Sequence, residues 1–239
     1  MSNKQLEICV GSWQSALAAQ LGGADRIELC DNLAVGGTTP SFGMLAQCKK
    51  LLTIPFFPII RPRGGDFVFS KDEFEIMKED VICCREIGCQ GIAIGILKKD
   101  GSIDSDRCSE LIALAGAMQI TFHRAFDRCS DLKRGLEDII ELGCCRVLTS
   151  GGKEYAYDGI EGLKSLVSQA GSRITIMPGS GINESNLLEI AQKTSAHEFH
   201  STAKKLMQYG VDPINDEPYR SLETSIDTVS RLKEILSLL

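Results

Sequence analysis

Short apolar runs recur along the chain, starting near Gln5, Arg26, Pro55, Gly91, Gln119, Arg146, Ile174 and His197, and each reads as a strand. The segments between them carry apolar residues at the period of an amphipathic helix: 12–21, 41–51, 70–87, 104–115, 130–142, 156–170 and 184–194, with one more over 221–238. Ser70 and Glu73 form a capping box, after which Phe74, Met77, Val81 and Cys84 share one helical face. Three helix-to-strand turns repeat the order apolar residue, glycine, loop, strand, and Gly22, Gly88 and Gly143 are expected to be the left-handed stops of the preceding helices. Strands and helices alternating in this way over 239 residues predict a single-domain (βα)8 TIM-type barrel, with an open doubly wound sheet as the alternative. The third strand is awkward, since Pro55 and Pro58 each remove a ladder donor. Residues 201–220 are polar, include Pro213 and Pro218, and read as a loop after the last strand, so no second domain is expected.

Composition narrows the class. With 43% hydrophobic and 24% charged residues the chain can bury a sizeable core, and its net charge of -6 without any basic run argues against a nucleic-acid partner. The apolar run from Ile54 to Ile60 is far short of a membrane span, and Met1 leads into polar residues rather than an export signal, so the cytoplasm is expected. Ten cysteines in that compartment read as reduced thiols, and no Cys-x-x-Cys occurs, which sets aside zinc-ribbon and thioredoxin-like readings.

In such a barrel the chemistry sits at the C-terminal strand ends, and side-chain alternation sorts what faces inward. Glu7 and Cys9 share a face, as do Glu28 and Cys30, Glu198 and His200, and Thr121 and His123. A glutamate between strands and helices would be a poorly paired buried charge, so these faces should point into the barrel. Two thiols and an imidazole, Cys9, Cys30 and His200, suit Cu(I) or Zn(II). His197 should point the other way. Arg61, opening the loop Arg61-Pro-Arg-Gly-Gly-Asp-Phe67, is the expected partner of the inward carboxylates and a potential holder of a carboxylate or phosphate. His123, at the end of the stretch Gln119–Asp127, is a candidate acid or base or a satisfied core histidine. Gly179, Ser180 and Gly181 after the seventh strand, with Ser150 and Gly151 after the sixth, form a candidate anion site. No lysine falls inside a predicted strand, so a Schiff-base aldolase has no obvious nucleophile. An enzyme built on these residues would use His123 with Glu7, Glu28 and Arg61 on a small anionic substrate, and nothing in the sequence selects the reaction.

The segments Leu6-Glu-Ile-Cys9, Gly23-Ala-Asp-Arg-Ile-Glu-Leu-Cys30, Gly36-Gly-Thr-Thr-Pro-Ser41 and Pro58-Ile-Ile-Arg-Pro-Arg-Gly-Gly-Asp-Phe67 stand in order along the chain. They are followed by Thr121-Phe-His-Arg-Ala-Phe-Asp127, Arg146-Val-Leu-Thr-Ser-Gly151, Pro178-Gly-Ser-Gly-Ile182 and Glu198-Phe-His200. Together they resemble the copper homeostasis protein CutC family over roughly residues 5 to 203. The resemblance implies a cytoplasmic TIM-type barrel, often a homodimer, linked to copper tolerance or trafficking, with Cys9 and Cys30 as the candidate Cu(I) ligands. Ser180 departs from the family, which usually has glycine or alanine there.

Overall fold

A closed barrel of eight parallel strands, alternating with eight helices, is what the computed structural model shows over residues 4–239, the residues described. In chain order these are β1 (Gln5–Val10), α1 (Trp13–Leu21), β2 (Arg26–Leu29), α2 (Phe42–Leu51), β3 (Phe56–Pro58), α3 (Lys71–Ile87), β4 (Gly91–Ile94) and α4 (Ser105–Ala115). There follow β5 (Gln119–Phe122), α5 (Leu132–Glu141), β6 (Arg146–Thr149), α6 (Ile160–Ala170), β7 (Thr175–Pro178), α7 (Leu187–Thr194) and β8 (Glu198–Ser201). An antiparallel hairpin, β9 (Lys204–Val211) and β10 (Pro218–Thr224), precedes the last helix, α8 (Ile226–Ser237).

Pairing of β1 with both β2 and β8 sets the first and last barrel strands side by side, and with both ends of their ladder joined to the other strands the sheet is a closed ring, not an open doubly wound one. The strands form two ladders, β3-β2-β1-β8 and β4-β5-β6-β7. A bridge from Ile59 to Ala93 joins them on one side, and the Ser201 hydroxyl bound to the Ile182 carbonyl at 2.7 Å ties them on the other. β3 is the shortest of the barrel strands; Pro58 pairs with Leu29 but brings no ladder donor, and Ile59 N–H supplies the next bond, to the Leu29 carbonyl.

Helix starts follow local chemistry. Ser12, Ser41, Ser70, Asp104, Asp131 and Ser225 each cap a first turn by accepting a backbone N–H, and Ser70 with Glu73 completes the capping box. Gly88 and Gly143 take the left-handed conformation expected of them, at φ +80° and +77°. Gly22 does not: its φ is -76°, and Gly23 takes the left-handed turn instead. Gly22 is needed for packing, since a Cβ there would meet the Val229 side chain of α8 at 2.5 Å.

Alternation divides the core in two. Outward strand residues such as Leu6, Ile8, Ile27, Ile92, Phe122 and Phe199 pack against the helices in one continuous apolar cluster. Cys9, Cys30, Ile59 and Ala93 form a separate small cluster inside the barrel.

The segment expected to be a polar loop at 201–220 is the β9–β10 hairpin, and the last helix starts at Ile226 rather than near 221. Every residue of β9 is exposed, so its strand lacks the buried-exposed alternation on which sequence detection depends. Glu223, which accepts a 2.5 Å hydrogen bond from Ser12 and another from Ser15, fixes the hairpin base to the start of α1. Among the described residues no helix is long and apolar enough to cross a membrane.

Candidate functional site

The inward faces assemble as the alternation predicts, in two tiers. In the lower tier the carboxylates are paired, though by residues other than Arg61. Arg26 bonds Glu7 through Nε and Glu198 through Nη2 at 2.6 Å, while Arg146 reaches the same Glu198 oxygen at 3.0 Å. Both guanidinium groups lie over the Phe57 ring at 5.2 Å, a cation–π contact that shields them from water. Sequence reasoning missed Arg26 and Arg146, yet the signal was there: Arg26 stands two residues before Glu28 and must share its face.

Arg61 is buried at the end of β3 but meets no carboxylate. Its Nη1 donates to the carbonyls of Val35 and Gly37 at 3.0 and 2.9 Å, and its Nη2 to Gly65 at 2.8 Å. It therefore pins two loops over the barrel and lies on the Phe67 ring at 4.8 Å.

The upper tier holds the thiols. Register places Cys9 opposite Glu28 and Glu7 opposite both Arg26 and His200. The Cys9 and Cys30 sulfurs are 3.6 Å apart, and Cys30 is also 3.6 Å from Glu28 Oε2. Ligand atoms of Cys9, Glu28 and Cys30 all lie within 4.8 Å of one another. His200 is adjacent but outside that cluster, with Nδ1 on Glu7 at 2.8 Å and Nε2 3.7 Å from Glu28.

Charge is distributed unevenly through this network. The Cys30 hydrogen bond, outweighing burial and aided by His200, brings the Cys9 thiol down to about 5, while the same bond and burial push Cys30 well up. Burial and the Cys9 charge raise Glu28. Burial would raise Glu7 as well, but Arg26 and His200 prevail and hold it at about 2. For His200, burial opposes protonation, and its bonds to Cys9 and Glu7 overcome that and raise it well above the usual imidazole range. The result is a Cys9 thiolate with a Cys30 thiol donor and a His200 imidazolium beside it.

His123 stands away from the thiols. It caps a 3-10 turn over Arg124–Arg128 by accepting the Ala125 N–H at Nδ1, 3.2 Å away, and packs on Phe67 with ring centroids 5.2 Å apart. Burial and the Arg61 charge hold it near 3, so the ring is neutral.

The residues expected to bind an anion have largely found partners within the protein. The buried Asp127 carboxylate accepts from the Ser150 amide at 3.0 Å, the Gly152 amide at 3.1 Å and the Thr149 hydroxyl at 2.5 Å, with Arg124 as its counter-charge at 2.8 Å. The Gly151 amide donates to Thr149 Oγ1 at 2.9 Å. Asp127 thus fills the place an external anion would take on the β6 loop. Gly179 donates to the Thr149 carbonyl, and its missing Cβ makes room for Leu148 and His200. Ser180 is held at φ +79°, a left-handed position unusual outside glycine, with its hydroxyl on the Glu154 carbonyl at 2.7 Å.

Above the thiols a cavity of about 390 Å³ opens at the C-terminal end of the barrel, with Cys9, Glu28, Arg61, His123, Gly181 and His200 on its walls. Fold and site together describe a TIM-type barrel whose interior carries a paired thiol–carboxylate centre under an open mouth.

The chain belongs to the CutC family, whose model matches residues 4–205. It is 48% identical over 236 residues to a CutC protein of Xylella fastidiosa, covering 97% of this chain and 88% of that one. To a Chromobacterium violaceum CutC protein it is 45% identical, covering 98% of both chains. A solved CutC structure from Streptococcus agalactiae superposes with a TM-score of 0.80 at 34% identity, covering 83% of this chain and 98% of that one. Thiamine phosphate pyrophosphorylase from Pyrococcus furiosus, at TM-score 0.61 and 14% identity, shares the fold alone.

Proposed function

We propose that this CutC protein takes part in copper homeostasis by binding Cu(I) at Cys9 and Cys30. The observation that carries the reading is the 3.6 Å approach of two thiols from neighbouring strands, with Cys9 on the cavity wall and Cys30 behind it. The donor set fits the ion. Thiolates are the ligands that select Cu(I), and two metal–sulfur bonds of about 2.3 Å can span any separation up to roughly 4.6 Å. A Cys9 held as thiolate is already in its ligating form. Glu28 is the third donor of that cluster; His200, tied to Glu7, positions that carboxyl group and the thiolate. The solved Streptococcus agalactiae relative is provisionally described as a copper homeostasis protein, which agrees with this assignment.

Cytoplasmic location is part of the proposal, supported by ten unpaired cysteines, which suit a reducing compartment. So is the homodimer that the family resemblance implies, which light scattering of the full chain tests.

Anaerobic titration against a Cu(I) chelator is expected to show about one Cu(I) per chain, held more tightly than Zn(II). Cys9→Ser combined with Cys30→Ser should abolish it. Unchanged stoichiometry in the doubly substituted protein, with the barrel still folded, refutes the site.

A further inference from the structure

Buried polar atoms in folded proteins are nearly always hydrogen-bonded, so exceptions call for an explanation. Among the described residues three buried side-chain polar atoms lack a partner: Arg61 Nε, His123 Nε2 and Thr228 Oγ1. Thr228 belongs to α8, on the outside of the barrel. The other two residues both line the cavity above the thiols, and both lie against Phe67.

We propose that this cavity is a binding site for a small organic oxyanion, its head held by the N–H groups of Arg61 Nε and His123 Nε2 and its apolar body resting on Ile59, Phe67 and Leu148.

The protein fixes both donors in advance. Carbonyls of Val35, Gly37 and Gly65 take up three of the four terminal N–H groups of Arg61, while its Nε–H has no partner within the protein. Ala125 donates to His123 Nδ1, so the proton of the neutral ring resides on Nε2. Gly95 makes this placement possible, because a Cβ there would come within 2.5 Å of His123 Cε1. Burial and the Arg61 charge keep the imidazole neutral, and it donates without needing a counter-ion.

Charge and size agree. Arg61 brings a full positive charge that no carboxylate neutralises by direct contact, and Lys204 adds another on the cavity wall, while the Cys9 thiolate on that wall is offset by the His200 imidazolium beside it. Ile59 packs against both thiols. A volume of about 390 Å³ lies at the lower end of the range for small-molecule sites, which suits a compact ligand rather than a nucleotide. The site uses neither thiol and does not depend on the copper reading.

The full chain is titrated with benzoate and with phenyl phosphate, with benzyl alcohol as the neutral counterpart. Thermal unfolding and the NMR resonance of His123 Nε2 are followed together. Either oxyanion is expected to raise Tm with a Kd of about 1 mM or tighter and to move that resonance, while benzyl alcohol does neither. A response to benzoate alone assigns carboxylates, and one to phenyl phosphate alone assigns phosphate esters.

His123→Phe, which removes the donor and keeps a ring, should weaken binding roughly ten-fold or more, the worth of a hydrogen bond to a charged group. Cys30→Ser removes a thiol outside the cavity lining and should leave oxyanion binding intact, so failure of the copper site and failure of this site are read separately. No response to either oxyanion up to about 10 mM overturns the proposal, as does equal binding of benzyl alcohol or unchanged affinity in His123→Phe. If His123→Phe does not fold, the wild-type resonance decides: a Tm rise without movement of His123 Nε2 places the ligand elsewhere.

Discussion

Arg26→Met is the substitution whose consequence the structure defines best. Met retains the apolar length that packs beside Phe57 and Met177 but removes the guanidinium that bonds Glu7 and Glu198. Glu198 still has Arg146, whereas Glu7 loses its largest counter-charge. The carboxyl of Glu7 lies at about 2 in the folded protein against 4.5 for the free group, and at 1.36 kcal/mol per unit that is about 3 kcal/mol of stability. The figure matches the roughly 3–5 kcal/mol lost when one partner of a buried pair is removed. Because the folded value is depressed, the contribution is complete above about pH 4.5 and disappears as pH falls toward about 2. Arg26→Met should therefore cost about 3 kcal/mol at ~pH 7, lowering Tm by roughly 6–12 °C for a chain of this size. The gap from wild type should narrow by ~pH 3, where Glu7 in the variant is already protonated. Urea unfolding at both pH values measures it, and adding Glu7→Gln should restore most of the loss. A deficit under about 1 kcal/mol at ~pH 7, or one that stays constant with pH, would refute the account of Glu7 as a paired buried carboxylate.

Two further outcomes test the upper tier and the cavity wall. Cys9 lines the cavity as a thiolate, so its alkylation by iodoacetamide should reach a plateau just above about pH 5, whereas an ordinary thiol would still be accelerating at ~pH 8; mass spectrometry of the modified peptide against pH reads this directly. Gly95→Ala inserts a Cβ 2.5 Å from His123 Cε1 and 2.8 Å from the Ala125 Cβ, and should destabilise by about 1–3 kcal/mol while shifting the His123 ring resonances. An unshifted His123 in that variant would count against the packing described.

Alternation was enough to read most of the barrel and half of its site. It placed Glu7, Cys9, Glu28, Cys30 and His200 inward because a charged residue between strand and helix has no partner, and the structure brings all five together. The same rule applied to Arg26 and Arg146 would have found the counter-charges; attention to strand ends drew the choice to Arg61 instead. What sequence could not supply was distance. A parallel ladder leaves the stagger of neighbouring strands open, so the contact of Cys9 with Cys30, and the exclusion of His200 from their immediate cluster, are visible only with register in hand. The β6 loop eluded the reading for a different reason. Its glycines and hydroxyls have the composition of an anion site, and only the three-dimensional position of Asp127 shows that the anion is already present in the chain.

The two tiers are coupled through one side chain. Arg26 fixes Glu7, Glu7 holds His200 Nδ1, and this directs Nε2 toward Glu28 and the Cys9 thiolate. His200 can then stay protonated in a buried site because Glu7 supplies a fixed negative charge below it. The salt bridge beneath the thiols therefore has a role beyond stability: it keeps an imidazolium next to the thiolate, which a buried histidine alone would not provide. Arg26→Met should accordingly act on two levels. With its anchor weakened, Glu7 offers His200 less charge, the imidazolium loses support, and the Cys9 thiol should rise by the His200 share of its depression, while the larger share that comes from the Cys30 hydrogen bond stays in place.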